Sequence, residues 1–88
     1  MEIKVIEEND EKLKIQVEGG LTLVNLLNEN LWKQRGLDYA AYAKEHPLAE
    51  PILLVKSKNP KKAMLEAADR IVEDVKDLRK QLEKELKD

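Results

Sequence analysis

The chain has 88 residues and a net charge of −2 at pH 7, and 39% of its residues are charged. At this length we expect a single domain, residues 1–88, with a modest core, because so short a chain buries only about 60% of its unfolded surface. The absence of cysteine excludes disulfides and thiolate chemistry, and the slightly acidic balance argues against a free-standing nucleic-acid binder.

The start of the chain favours a cytoplasmic protein. Met1 is followed by alternating apolar and charged residues, a strand pattern that lacks the basic and apolar regions of a signal peptide. No apolar run approaches the roughly 20 residues that a membrane span requires. We therefore expect no contact with a membrane.

A β-hairpin is predicted for the first 18 residues. Residues 2–7 alternate as a half-buried strand should, with Ile3 and Val5 on one face. Residues 12–18 alternate more cleanly and predict a strand with one apolar face and one wet face. The apolar face of this second strand consists of Leu13, Ile15 and Val17.

The first helix is predicted from Thr22 to Arg35. Gly19 and Gly20 stop the preceding strand, because glycine reaches backbone angles that other residues avoid. Thr22 is expected to cap the helix with its side chain, and Gly36 is expected to end it.

This helix is more apolar than one packed face requires. A helix that covers a single sheet needs an apolar stripe of roughly 100°. Leu26 and Trp32 lie beyond opposite edges of that stripe. We interpret the surplus as a second contact, made with another polypeptide. Trp32 fits a core residue and an interface anchor equally well.

A second pair of strands is predicted at residues 37–43 and 51–56. Tyr39 and Tyr42 differ in parity and should point to opposite faces of the sheet. The second strand of the pair is a near-continuous apolar run, which is typical of a strand with both faces covered. His46 stands beside a proline in the connecting turn and is interpreted as a structural or surface residue.

The C-terminal helix is predicted from Pro60 to Lys87, with Asn59 as its cap. It would be about 42 Å long, whereas a strand of six residues spans only about 20 Å. Its first half, as far as Ile71, should pack in the core, and its second half should overhang the sheet and contact another molecule. Apolar residues recur in steps of four and three and form a heptad seam. The seam consists of Met64, Ala68, Ile71, Val75, Leu78 and Leu82.

No catalytic, cofactor or metal site is recognisable. With one histidine and no cysteine, a metal cluster built on those residues is excluded, and the carboxylates occupy positions expected to face solvent. Two alternatives stay open: the Gly19 and Gly20 pair as an anion cradle, and a lysine cluster that contacts phosphate instead of forming a solvated helix start. That cluster consists of Lys56, Lys58, Lys61 and Lys62.

The order of elements predicts an α+β fold of the type ββαββα. Its four-stranded antiparallel sheet should carry both helices on one face, with the long C-terminal helix overhanging the sheet.

Several segments together resemble a known family. They are the opening Met1–Val5, the segment from Glu18 to Leu27, residues 37–42 leading to His46–Leu48, and Pro60 followed by Ala63, Leu65, Ala67 and Ala68. In these segments the chain is similar to the subunit L family, the small alpha-like subunits of archaeal DNA-directed RNA polymerase. It departs from that family at Gly20 and Leu21, where an acidic residue and a histidine are usual.

The resemblance implies a non-catalytic subunit without cofactor, metal or small-molecule ligand. Such subunits heterodimerise with the larger alpha-like subunit of the polymerase, its D subunit, through the first helix and the tail of the second. The dimer is the assembly platform for the large catalytic subunits, and no direct contact with nucleic acid is expected. The predicted interface residues are Leu23, Leu26, Leu27, Asn30, Leu31, Trp32, Val75, Leu78, Leu82 and Leu86.

Two other classes of function remain open. One is a homodimeric interaction module of the same fold that acts outside the polymerase. The other is a small-molecule sensor or enzyme, which would need an apolar pocket with convergent polar groups.

Overall fold

The computed structural model of the chain describes residues 2–18, 20–44 and 46–87. Met1 and Gly19, on which two of the predictions above rest, lie outside the described residues. The elements are β1 (Ile3–Glu8), β2 (Lys12–Val17), α1 (Leu21–Trp32), β3 (Leu37–Ala43), β4 (Ile52–Ser57) and α2 (Pro60–Glu85).

The strands form one four-stranded sheet in the order β1-β2-β4-β3, and every neighbouring pair is antiparallel. Strands β1 and β2 form one hairpin, and β3 and β4 form the other. The two hairpins are joined by pairing between β2 and β4, which are the central strands. The predicted α+β fold with ββαββα order is therefore confirmed.

The core lies between one face of this sheet and the two helices. The alternating apolar residues of β1 and β2 point to that face of the sheet. The apolar faces of the two helices pack against it. The core residues are Leu13, Ile15 and Val17 of β2, Val24, Leu27 and Leu31 of α1, Ala40 of β3, Leu53 and Val55 of β4, and Ala63 and Ala67 of α2.

The prediction that β1 is half-buried was wrong. Ile3 and Val5 pair across the hairpin with Val17 and Ile15 and therefore share the helix-side face. They are nevertheless 54% and 58% exposed. The reason is position in the sheet, since β1 is an edge strand that lies beyond the cover of the helices.

The prediction that both faces of β4 are covered was also wrong. Leu53 and Val55 face the helices and are fully buried, whereas Ile52 and Leu54 on the other face are half-buried. Both helices pack on one side of the sheet, so the described part of the chain has no element that covers the opposite side.

Helix α1 starts and ends earlier than predicted. Its cap position is Gly20, and no side chain caps it, so the predicted role of Thr22 was wrong. The helix ends at Trp32 and not near Gly36. After Trp32 the backbone closes a tight turn, in which the Gln34 backbone N–H donates to the Leu31 carbonyl oxygen at 3.1 Å. The Gln34 side-chain amide donates to the Ala63 carbonyl oxygen at 2.8 Å and ties this turn to α2.

Helix α2 begins as predicted. Pro60 occupies its first turn, and the Asn59 side chain accepts a hydrogen bond from the Lys62 backbone N–H at 3.2 Å. At 26 residues the helix is about 39 Å long, which is about twice the length of the strands beneath it. The overhang is therefore confirmed, and the longest dimension of the molecule is 50 Å.

The first half of α2 packs through smaller residues than predicted. Ala63 and Ala67 are buried, Met64 and Ile71 only pack against the rim of the core, and Ala68 is exposed. Alanines one turn apart let the helix approach α1 and the sheet closely. The phase of the buried stripe is thus shifted by one residue from the heptad seam.

Candidate partner interface

The ten predicted interface residues divide into a buried group and an exposed group. On α1, Leu27, Leu31 and Asn30 are at most 6% exposed, and Leu23 is half-buried against the core. A partner that docks on this structure reaches the other six directly, while the buried four hold α1 in place. The exposed six are Leu26, Trp32, Val75, Leu78, Leu82 and Leu86, with exposures between 40% and 74%.

Asn30 makes its hydrogen bond inside the chain. Its side-chain Nδ2 donates to the backbone carbonyl oxygen of Leu26 at 2.9 Å, one helical turn earlier. This local bond satisfies the buried amide nitrogen within α1. Its Oδ1 is buried and takes no hydrogen bond from the described residues.

The overhanging half of α2 carries a row of exposed apolar residues. Val75, Leu78 and Leu82 are 58%, 58% and 48% exposed, and Leu86 beyond the end of the helix is 74% exposed. Together these four residues, the tail seam, line a shallow groove. Four apolar residues with this spacing match the contact seam of a pair of packed helices.

One side of the tail seam is closed by an ion pair. Arg79 Nε lies 2.8 Å from Glu83 Oε1, and both side chains line the groove. The pair is exposed, so its contribution to the stability of the free chain is small. Its effect is to give the apolar groove a charged border, which is the usual arrangement of an interface with an apolar centre and a polar rim.

Leu26 lies at the same end of the molecule as the tail seam. Gln34, after α1, bonds to Ala63 in the first turn of α2, and Asn30 shares a cleft with Glu66 and Arg70. The two helices therefore run antiparallel, so earlier residues of α1 lie beside later residues of α2. Leu26 comes one turn before Asn30 and so lies towards the start of the overhang.

Trp32 occupies a separate corner between α1 and β3. Six residues separate it from Leu26, which places the two side chains roughly 120° apart around the helix. The indole N–H donates to the Ala40 carbonyl oxygen at 2.9 Å, and the ring meets the Tyr39 ring edge-on with centroids 6.1 Å apart. Trp32 is 52% exposed, so it is a fixed aromatic residue with one open side.

Three further exposed apolar patches were missed by the sequence interpretation. On β1, Ile3, Val5 and Ile6 are at least 50% exposed, and on α2 Leu65 and Val72 are 59% and 51% exposed. Ile3 and Val5 were predicted to lie on a half-buried strand, and Leu65 lies in the half of α2 that was predicted to pack in the core. Leu48, in the turn before β4, is 91% exposed.

The other candidate sites have ordinary structural surroundings. His46 is exposed, and its Nδ1 accepts a hydrogen bond from the Leu48 backbone N–H at 3.2 Å, which fits its predicted place in a turn. The four lysines around the start of α2 are all exposed. Across residues 2–18, 20–44 and 46–87 no group of three His, Cys, Asp or Glu residues is arranged to hold a metal ion. In those ranges neither helix has the length and apolar character to cross a membrane.

Fold and surface together define a small α+β subunit with uncovered apolar surfaces at its edges, a class of protein that acts by contact with other chains. The chain belongs to the RNA polymerase Rpb3/Rpb11 dimerisation domain family, whose model matches residues 10–81. The prediction that the chain is not an enzyme by itself is confirmed by this membership, since the family is defined by a dimerisation domain.

Curated relatives and a solved structure agree with this family. The chain is 37% identical over 79 residues to the DNA-directed RNA polymerase subunit Rpo11 of Sulfurisphaera tokodaii, covering 84% of this chain and 85% of that one. It is 32% identical over 82 residues to the Rpo11 subunit of Nanoarchaeum equitans, covering 92% and 82%. The crystal structure of DNA-directed RNA polymerase subunit L from Thermoplasma acidophilum superposes with a TM-score of 0.84 at 26% identity, covering 96% and 87%.

Proposed function

We propose that the chain is the small alpha-like subunit of an archaeal DNA-directed RNA polymerase, of the type named Rpo11 or L in its relatives, and that it acts in the cytoplasm. In this role it heterodimerises with the larger alpha-like subunit, the D subunit of the polymerase. The dimer then serves as the assembly platform on which the large catalytic subunits gather.

The observation that carries the proposal is the uncovered tail seam of α2. A short chain gains little by exposing Val75, Leu78, Leu82 and Leu86 in a row unless another helix covers them. Membership of a family of dimerisation domains supports the same conclusion. An obligate interface of this kind is expected to be large and apolar at its centre.

In this proposal the interface has two parts. The tail seam and Leu26 lie at one end of the molecule and meet one region of the larger alpha-like subunit, most simply a helix. Trp32 lies at the α1–β3 corner and meets a second region. The buried residues Leu23, Leu27, Asn30 and Leu31 contribute by holding α1 in position.

The test is the mass of the complex in solution. Size exclusion with light scattering is applied to this chain alone, to the larger alpha-like subunit of an archaeal polymerase, and to the mixture. We expect a one-to-one complex, and we expect Leu78→Asp to weaken it about thirtyfold or more, because interface hot spots contribute about 2 kcal/mol or more.

The matched control is Lys80→Glu. Lys80 lies on the opposite side of α2 from the tail seam, and its reversal changes the net charge more than Leu78→Asp does. The control should leave the complex intact. A stable homodimer that ignores the larger alpha-like subunit would instead support the homodimeric interaction module, and equal effects of the two substitutions would contradict the proposed surface.

A further inference from the structure

We propose that the face of the sheet turned away from the helices is a second protein-binding surface, which takes an acidic segment of a further polymerase subunit. This outer face shares no residue with the tail seam and is not needed for the contact with the larger alpha-like subunit. The identity of the partner as a polymerase subunit rests on the proposed function. The chemistry of the surface rests on the sheet alone.

The strand register assembles the outer face in rows. Residues paired across antiparallel strands point to the same side of the sheet. Leu54 of β4 is flanked by Lys14 of β2 and Ala41 of β3, and Lys56 is flanked by Lys12 and Tyr39. The outer face therefore has an apolar centre at Leu54 and Ala41 and an end with three lysines, where Glu7 of β1 is the strand partner of Lys14.

The apolar centre is poorly covered by this chain. Ile52 and Leu54 are half-buried, in contrast to Leu53 and Val55, which the helices bury completely. The continuous apolar run of β4 is typical of a strand covered on both faces. On the β3 side the neighbour of Leu54 is Ala41, whose methyl group is too short to reach over it.

Lysine stems account for only part of the cover. Lys14 is half-buried, which fits an aliphatic stem lying along the sheet with its ammonium group in water. This cover comes from the β2 side alone. The half-buried apolar residues Leu54 and Ala41 are therefore bordered by lysines on the β2 side, and Ala41 lies on the edge strand β3.

The charges on this face select the chemistry of the occupant. Lys12 is paired with Glu7 at 3.1 Å, whereas Lys14 and Lys56 make no ion pair with the described residues. An occupant with carboxylates beside an apolar side chain would pair with these lysines and cover the apolar centre.

The far end of the outer face has the opposite charge. Glu2, Glu18 and Glu50 line a cleft there with Lys4 and Gln16. The acidic part of the occupant is therefore placed at the lysine end. A nucleic acid fits less well, because its phosphates gain nothing from the apolar centre and are repelled by these glutamates. Tyr39, the aromatic residue that the register places beside Lys56, already contacts Trp32.

The experiment reconstitutes the polymerase in two stages from separately purified subunits. The outer-face variant carries Lys14→Glu and Lys56→Glu. The control carries Lys58→Glu and Lys61→Glu, an equal charge change at exposed lysines that lie outside the outer face. The first stage measures binding to the larger alpha-like subunit, and the second measures binding of that dimer to the large catalytic subunits.

We expect the outer-face variant to bind the larger alpha-like subunit within about twofold of wild type and to lose about tenfold in the second stage, because reversed charges then oppose the acidic segment. The control should match wild type in both stages. Carbodiimide treatment of the assembled wild-type enzyme, which joins lysines to carboxylates, should link Lys14 or Lys56 to an acidic stretch of the second-stage partner.

Three results would overturn the inference. The first is second-stage binding by the outer-face variant that equals wild type. The second is loss of first-stage binding by a folded outer-face variant. That result would mean that the outer face belongs to the contact with the larger alpha-like subunit. The third is an outer-face variant that assembles normally in both stages but, once assembled, binds a labelled DNA duplex more weakly than wild type. Failure of wild type itself to bind the larger alpha-like subunit would instead contradict the proposed function, so the two failures are distinguishable.

Discussion

At the scale of single residues, exposure and not residue type decides what each apolar side chain does. Val17 and Val5 illustrate this point, because both lie on the helix-side face of the same hairpin. Val17 is fully buried, whereas Val5 is 58% exposed. The same valine side chain is therefore part of the core on β2 and part of the surface on β1.

This difference predicts unequal costs for the same substitution. Val17→Ala should lower the free energy of unfolding by roughly 2 kcal/mol, from lost burial plus the cavity left behind. Val5→Ala should change it by about 0.5 kcal/mol or less, as for other exposed positions. Urea unfolding followed by circular dichroism measures both. Equal losses would mean that β1 is covered in the free chain.

Trp32 owes its fixed position to one polar bond. The indole N–H donates to the Ala40 carbonyl oxygen, so Trp32→Phe leaves that oxygen without this donor. We expect the free energy of unfolding to fall by about 1 kcal/mol, the usual net contribution of such a bond. Tyr39→Phe is the control, since it keeps the ring contact and removes only a hydroxyl. If both variants unfold alike, the bond to Ala40 contributes nothing.

At the scale of elements, the sequence predicted the type and order of the helices and strands better than it predicted which of their faces are buried. The six elements were predicted because alternation and helical periodicity are local properties. The cover of β1 and β4 was predicted wrongly, because it depends on the order β1-β2-β4-β3 and on which face receives the helices. The turn that follows α1 is tied to α2 by the bond from Gln34 to Ala63, a contact between residues 29 positions apart that local periodicity does not reveal.

The candidate interface shows the same division. The exposure of Val75, Leu78 and Leu82 followed from length alone, because an overhanging helix has nothing beneath it. On α1, periodicity identified apolar residues without separating those that fill the core, such as Leu27 and Leu31, from those left exposed, such as Leu26. That separation needs the orientation of the helix on its sheet, which is a tertiary property.

The two halves of α2 should differ in local stability. Residues near Ala63 and Ala67 are anchored in the core, whereas every described residue from Val72 onward is exposed. In the free chain we expect backbone amides around Leu78 and Leu82 to exchange with deuterium at least about tenfold faster than those around Ala67, since local opening there breaks few apolar contacts. Addition of the larger alpha-like subunit should slow exchange around Leu78 and leave exchange around Ala67 nearly unchanged. Uniform protection of α2 in the free chain would contradict this.

At the scale of the whole molecule, the exposed tail seam and the small size of the domain both make its stability depend on a partner. A domain of this size is only marginally stable by itself, and the chain leaves large apolar residues on β1, α1 and α2 uncovered. Whatever binds the folded state and not the unfolded chain must then raise its stability by mass action. The stability of the free protein and the strength of its interface are therefore coupled quantities.

This coupling predicts a large thermal shift on complex formation. When the concentration of the larger alpha-like subunit is about 100 times the dissociation constant, linkage adds about 2.7 kcal/mol to the free energy of unfolding. For a domain of this size each kcal/mol raises the Tm by about 4–8 °C, so the expected increase is about 10–20 °C. Scanning calorimetry at several concentrations of the larger alpha-like subunit should show the Tm rising with concentration.

Leu78→Asp should abolish most of the rise while changing the Tm of the free chain little, because Leu78 is already 58% exposed there. A concentration-independent Tm in the wild-type mixture would contradict the coupling. A rise that survives Leu78→Asp would place the main contact with the larger alpha-like subunit away from the tail seam.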